Sequence, residues 1–240
     1  MKNIIIPSEP CPLAGVLHTP KIPSGKTLII SHGFRGSKEG GGRAVRLAEA
    51  VAAIGFTVIR YNFTPLQNLS CQIAELTAVM TYARQTIGGQ LFLLGRSMGG
   101  SASLAAASAD KNINGLILWA TPWDLTATFR LALGSYYEQL VAGKNVSATD
   151  EYGDLVLTPD FIRDFERHNI PKYVKQLGPT PILILHGSAD NIVPVSQART
   201  VYELASGPKE LVQYPDGDHH LAAHTGQASL AITTWLKKFL

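Results

Sequence analysis

The stretch Gly95-Arg96-Ser97-Met98-Gly99 sets one hydroxyl between two glycines, after the apolar run Leu91 to Leu94 and before Ala- and Ser-rich sequence. A buried strand turning sharply into a helix has this form. Glycine on either side of the apex removes Cβ atoms that would collide, and the serine stands above the sheet edge. Serine is a poor nucleophile at neutral pH, so Ser97 needs a base within hydrogen-bond reach and an acid to fix the tautomer of that base. Both follow downstream. Residues His186 to Pro194 come directly after the apolar run Pro181 to Leu185 and offer Asp190. Residues Pro215 to Leu221 come after the run Leu211 to Tyr214 and offer two adjacent histidines, His219 and His220. Hydroxyl, carboxylate and imidazole in that order are the parts for nucleophilic attack on a carbonyl. Each also has a bland reading: Ser97 as the cap of a helix beginning near Gly99, Asp190 as a solvated turn residue. Their shared position at strand ends favours the chemistry.

Those strands must be held side by side. Thr27 to Ser31, Phe56 to Tyr61, Leu91 to Leu94, Gly115 to Ala120 and Pro181 to Leu185 are near-continuous apolar runs, as strands buried on both faces require. Between them, Ala44, Leu47, Ala48 and Val51 recur at i, i+3, i+4 and i+7, and Ile73, Leu76, Met80, Ala83 and Ile87 keep helical phase. A closing helix shows Ala228, Ala231, Ile232, Trp235, Leu236 and Phe239 on one face. The pattern predicts an α/β fold: a mostly parallel, twisted sheet with helices on both faces and ligands at the carboxyl ends of the strands. Residues Lys2 to Ile6 and Leu13 to His18, separated by three prolines, suit an antiparallel pair at the sheet edge. The alternation lapses over about residues 122–178, which hold Trp123, Phe129, Tyr136, Tyr137, Phe161 and Phe165. That stretch is too long and aromatic for a plain crossover or a disordered insertion, so we expect a small helical cap, with Trp123 and Tyr137 shaping a substrate pocket.

With 240 residues, 45% of them hydrophobic, the chain suits one domain, 1–240, carrying that cap as an insertion. The net charge of +3 comes from scattered residues, which disfavours a nucleic-acid partner. No stretch has the roughly 20 apolar residues of a membrane span, and the first residues lack a secretory apolar run. Two cysteines without metal or redox spacing fit a reducing compartment, so the expectation is a cytoplasmic protein without membrane association.

The three motifs in order, together with His32-Gly33-Phe34 after the first buried strand, resemble the α/β-hydrolase superfamily. The cap placement resembles its small esterases, the feruloyl and cinnamoyl esterases among them. The resemblance spans nearly the whole chain, from the strand at Leu28 to the last helix. It implies that Asp190, in Gly-x-x-Asp-x-x-Val-Pro, orients the histidine, and that His219, in Asp216-Gly217-Asp218-His219, is the base; Asp124 is the alternative acid, more simply the start of a cap helix. It implies backbone N–H donors at Phe34 and Met98 for the oxyanion. The substrate is then a small-molecule ester, with no metal and no organic cofactor. His220 and His224 at i, i+4 lack a third ligand at sensible spacing. Thioester or amide hydrolysis on the same triad, and a noncatalytic binding module of the same fold, are the alternatives. Two departures border the expected pocket: Asn62 to Ser70 replaces the Gly-x-Gly-x-Ser loop of many relatives, and three glycines stand at 40–42.

Overall fold

The computed structural model describes residues 1–150 and 152–240. Within them the chain forms β1 (Lys2–Ile6), β2 (Leu13–His18), β3 (Lys26–Ser31), α1 (Arg43–Ala53), β4 (Thr57–Tyr61), α2 (Leu69–Thr86), β5 (Gln90–Arg96), α3 (Met98–Ala109) and β6 (Ile113–Trp119). The cap follows: α4 (Leu125–Leu133), α5 (Ser135–Val141), β7 (Val146–Asp150), β8 (Gly153–Leu157), α6 (Asp160–Arg163) and α7 (Ile170–Gln176). The chain then closes with β9 (Ile182–Gly187), α8 (Val195–Leu204), β10 (Lys209–Tyr214) and α9 (Thr225–Lys237). Eight strands make one sheet in the order β1-β2-β4-β3-β5-β6-β9-β10. From β4 to β10 neighbours are parallel, while β1 and β2 extend the β4 edge by antiparallel pairing.

Alternation along each strand divides the core. In β5, Leu91 and Leu93 join the cluster under α2 and α3, and Phe92 and Leu94 join the cluster under α1 and α9. Helices on both faces therefore bury the sheet, as the apolar runs require. Helix α3 is buried throughout Met98–Ser108, and its Gly, Ala and Ser residues let it lie close on β5. A Cβ at Gly95 would collide with the Gly99 carbonyl, and one at Gly100 with Thr121.

Topology assembles the site. Strand β3 pairs with β4 on one side and β5 on the other, so the loops leaving β3 and β5 part at their carboxyl ends and leave a crevice. The register Ser31–Gly95 sets Gly33 beside Ser97, and the register Gly187–Tyr214 brings together the loops that carry Asp190 and His219.

The cap is not purely helical. Between α5 and α6, β7 and β8 pair antiparallel as a hairpin. Both strands are mostly exposed, and β7 has no apolar run to mark it beside the longer helices. Their β-branched Val146, Thr149 and Val156, the alternate burial of Leu155 and Leu157, and Gly153 at φ 94° favour the extended form. Phe129, Phe161 and Phe165 fill the cap core with ring centroids 4.9–5.4 Å apart. The Ser70 backbone N–H and hydroxyl donate to buried Asp164 at 2.8 and 2.6 Å, tying the cap to the start of α2. Among the described residues no helix is long and apolar enough to cross a membrane.

Candidate active site

Ser97 occupies the turn between β5 and α3 with φ 51° and ψ −128°, a strained conformation for a residue with a side chain. Its side chain makes no cap bond to α3, which sets aside the capping reading. A Cβ at Gly99 would meet the His32 carbonyl, so glycine is needed where α3 passes the loop after β3.

Asp190 is buried and its carboxylate is surrounded by donors. Oδ1 accepts the N–H groups of Ile192 (2.9 Å) and Val193 (2.8 Å). Oδ2 accepts Nδ1–H of His219 at 2.8 Å, and His186 Nε2 lies 3.3 Å away. Burial alone would raise the Asp190 pKa, but the neighbouring imidazoles of His186, whose Nε2–H is donated to the Val193 carbonyl at 2.7 Å, and of His219 outweigh it and hold the carboxyl well below the usual carboxylate range. With Nδ1–H given to Asp190, the free lone pair of a neutral His219 is on Nε2. His219 and Ser97 line the same cavity, of about 640 Å³. Among the described residues the Ser97 hydroxyl is not hydrogen-bonded to His219, a bond that in unliganded sites is often long and tightens with substrate.

The other candidates separate cleanly. His220 Nδ1 faces Arg96 Nη2 and accepts from it, and burial followed by Arg96 lowers its pKa. His224 Nδ1 pairs with Gln227 at 2.8 Å. Asp124 caps α4, accepting the Ala127 N–H at 2.8 Å.

The Phe34 and Met98 backbone N–H groups are donated to no protein acceptor among the described residues, and Met98 is the first residue of α3, where no intrahelical acceptor exists. A Cβ at Gly33 would stand 2.9 Å from Ser97 Cβ, so this loop abuts the serine. His32 holds it: Nδ1–H donates to the Gly33 carbonyl (2.8 Å) and Nε2 accepts the Phe63 N–H (3.0 Å). Burial lowers the His32 pKa and favours this neutral tautomer.

Trp123 and Tyr137 do not line the cavity; Phe129, Leu133, Tyr136 and Tyr152 do. Tyr136 and Tyr137 are neighbours on α5, about 100° apart around the axis, so only one can face the cavity. Tyr137 is buried in the cap core under the Arg130 guanidinium, 5.0 Å from its ring centroid. Trp123 precedes α4, its backbone N–H donated to Gln197 Oε1 at 2.6 Å. Two contributors lie outside the sequence reading. His186 sits four residues before Asp190, buried against its carboxylate at 3.3 Å while its Nε2–H holds the Val193 carbonyl. Arg35, next to Phe34, makes a bidentate pair with Asp150 on β7, both bonds at 2.7 Å, and donates to the Gly153 carbonyl at 2.8 Å. Nothing local in sequence joins residues 115 positions apart.

No family model matches the chain. Over 141 residues, 54% of the chain, it is 30% identical to the uncharacterized protein YfhR of Salmonella typhimurium. YfhR of Salmonella typhi matches at 28% over 130 residues, and the chain spans 40% of the length of each relative. Among solved structures, Est1E from Butyrivibrio proteoclasticus superposes with a TM-score of 0.83 at 20% identity, over 99% of this chain and 98% of that one. Est1E has also been solved with ferulic acid bound, at a TM-score of 0.82 and 21% identity over 98% of each chain. The esterase domain of a Rhodothermus marinus protein gives 0.77 at 21% identity over 99% and 98%. An α/β serine hydrolase homologue from Coxiella burnetii gives 0.73 at 19% identity over 98% and 97%. The chain has the α/β-hydrolase fold.

Proposed function

We propose that the protein is a serine hydrolase that cleaves small carboxylic esters with short or aromatic acyl groups through an acyl-enzyme. The observation that carries this reading is the Asp190–His219 hydrogen bond at the wall of the cavity that also exposes the strained Ser97 turn. Ser97 Oγ attacks the ester carbonyl while His219 Nε2 takes its proton, and the charge on the carbonyl oxygen meets the N–H groups of Phe34 and Met98. Each such donor contributes about 2.7–4 kcal/mol to lowering the barrier. Collapse breaks the ester bond, and the imidazolium, stabilised by Asp190, returns the proton to the leaving alkoxide. Water then attacks the acyl-enzyme by the same route. Rings of Phe34, Phe129, Tyr136 and Tyr152 along the cavity, and the ferulic acid held by Est1E, support aromatic or short acyl groups. Two free cysteines support a cytoplasmic setting.

A panel of p-nitrophenyl acetate, a hydroxycinnamate ester, an acyl thioester and an aminoacyl amide tests this. The ester arms are expected to give the highest kcat/KM, and Ser97→Ala to lower kcat roughly 10⁶-fold. Ester turnover equal in Ser97→Ala and wild type would overturn it.

A further inference from the structure

Four cationic side chains line the cavity beside Ser97: Arg35, Lys38, Arg43 and Arg96. Two are paired with carboxylates of the protein. Arg35 is paired with Asp150, and Lys38 Nζ lies 3.0 Å from Glu39, whose other oxygen takes Arg60 at 2.8 Å. Arg43 and Arg96 have no carboxylate oxygen within 4.0 Å among the described residues, and the Nε of each is buried without a hydrogen-bond partner. Arg96 meets neutral groups, the His220 imidazole and the Trp119 ring, 6.0 Å from its centroid. Asp218, the carboxylate whose charge acts most on Arg96, is exposed and accepts the Ala222 N–H. Buried guanidinium N–H groups without acceptors are costly, so this arrangement suits a counter-ion that the described residues do not supply.

The adjoining wall is the triple glycine that departs from the family pattern. Gly40, Gly41 and Gly42 have φ of 52°, 60° and 83°, where side chains are strained. Arginines face this loop: a Cβ at Gly42 would lie 3.1 Å from Arg46 Nη1 and one at Gly41 3.9 Å from Arg43 Nη2. Gly40 and Gly42 already donate to Ser37 and Glu39, so the loop contributes a side-chain-free surface more than N–H groups. At the start of α1, neither a side-chain cap nor a first-turn acid competes for Arg43.

We propose that this corner of the cavity, walled by Arg43 and Arg96 and by the Gly40–Gly41 surface, is a subsite for an anionic oxygen group, a carboxylate or a phosphate, carried by the ester. It rests on the reading of Ser97 as the nucleophile and narrows the substrate to esters with a second, charged end. Guanidinium nitrogens bind either anion with charge-assisted bonds.

The test measures kcat/KM for two matched pairs. One is mono-p-nitrophenyl glutarate against its neutral methyl ester, and the other is butyryl glycerol 3-phosphate against glycerol monobutyrate. An anionic-to-neutral ratio of about tenfold or more is expected in one arm, and that arm identifies the anion. Arg43→Gln should bring the ratio towards one, Arg43→Lys should keep part of it, and the distant Lys237→Gln should leave it unchanged. Ratios at or below one in both arms, or a preference that survives Arg43→Gln, overturn the subsite. Calorimetry of Ser97→Ala with glutarate and with inorganic phosphate separates the two readings. Binding that Arg43→Gln removes, in a protein whose wild type turns over no ester, sinks the hydrolase and keeps the subsite. Turnover of neutral esters with neither anion binding nor anion preference sinks the subsite and keeps the hydrolase.

Discussion

Asp190 and Asp124 show how position gives one residue type two tasks. The Asp190 carboxylate faces two backbone N–H groups and two imidazoles, whereas Asp124 accepts one N–H at a helix start. Asp190→Asn is expected to cost about 10⁴ in kcat, because the amide no longer selects the Nδ1–H tautomer of His219. Asp124→Asn, itself a good cap, should keep activity, and Asp124→Ala should cost about 1 kcal/mol of stability in urea unfolding. If Asp124→Asn were the variant that lost turnover, the assignment of the acid would fall. The adjacent histidines divide in the same way. His219 bonds Asp190 and His220 bonds Arg96, so the loss of kcat in His219→Ala should exceed that in His220→Ala by at least about a hundredfold. Equal losses would contradict this. The chemistry-bearing residue types and their order were legible in the sequence. The choice between neighbouring histidines rested on a family pattern, because side-chain direction in a loop has no period to read.

Two loops and a hairpin set the site's geometry. Gly33 has ordinary φ, so its glycine is required by space: a Cβ would stand 2.9 Å from Ser97 Cβ and 3.1 Å from the Arg96 carbonyl. Gly33→Ala should therefore displace the Phe34 donor and lower kcat by roughly 10²-fold, read in ester turnover beside a circular-dichroism check of folding. Wild-type kcat in that variant would show that the loop takes no part. The hairpin of β7 and β8 is latched to the same loop by Arg35. Asp150→Asn should speed amide hydrogen exchange across residues 146–157 and leave α3 protected; unchanged exchange in the hairpin would mean the latch holds nothing. Sequence patterns exposed the sheet and its covering helices because the central strands are near-continuous apolar runs and the helices bury faces of period 3.6. They missed the cap's two strands, β7 and β8, and they named Tyr137 where Tyr136 faces the cavity, since a one-residue change of phase on a short helix turns a ring from core to cavity. Trp123 was misread for a simpler reason: it precedes its helix, where no period applies.

At the scale of the molecule, the fold gathers residues 97, 190 and 219 by placing the carboxyl ends of β5, β9 and β10 along one edge. The same packing sets the response to acid. Burial, first among several causes, lowers the pKa of His18, His32 and His220 from the ordinary 6.5, so the unfolded chain binds protons that the folded protein refuses. Their contribution is complete above pH 6.5 and is lost as pH falls below it. Asp190, held below its ordinary 3.8 by its imidazole partners against the pull of burial, adds a further loss below that value. The thermal midpoint should therefore hold steady from pH 8 to 7, decline below about 6.5, and decline again below about 4. A midpoint constant from pH 8 to 5 would contradict the lowered pKa values of these three histidines.

The central claim is that Ser97 carries the covalent step, and intact-protein mass spectrometry after exposure to a fluorophosphonate tests it most directly. Wild type should gain one phosphonyl group, with peptide mapping placing it on Ser97, and folded Ser97→Ala should gain none. A folded wild type that stays unlabelled, or a Ser97→Ala variant labelled to the same extent, would contradict it.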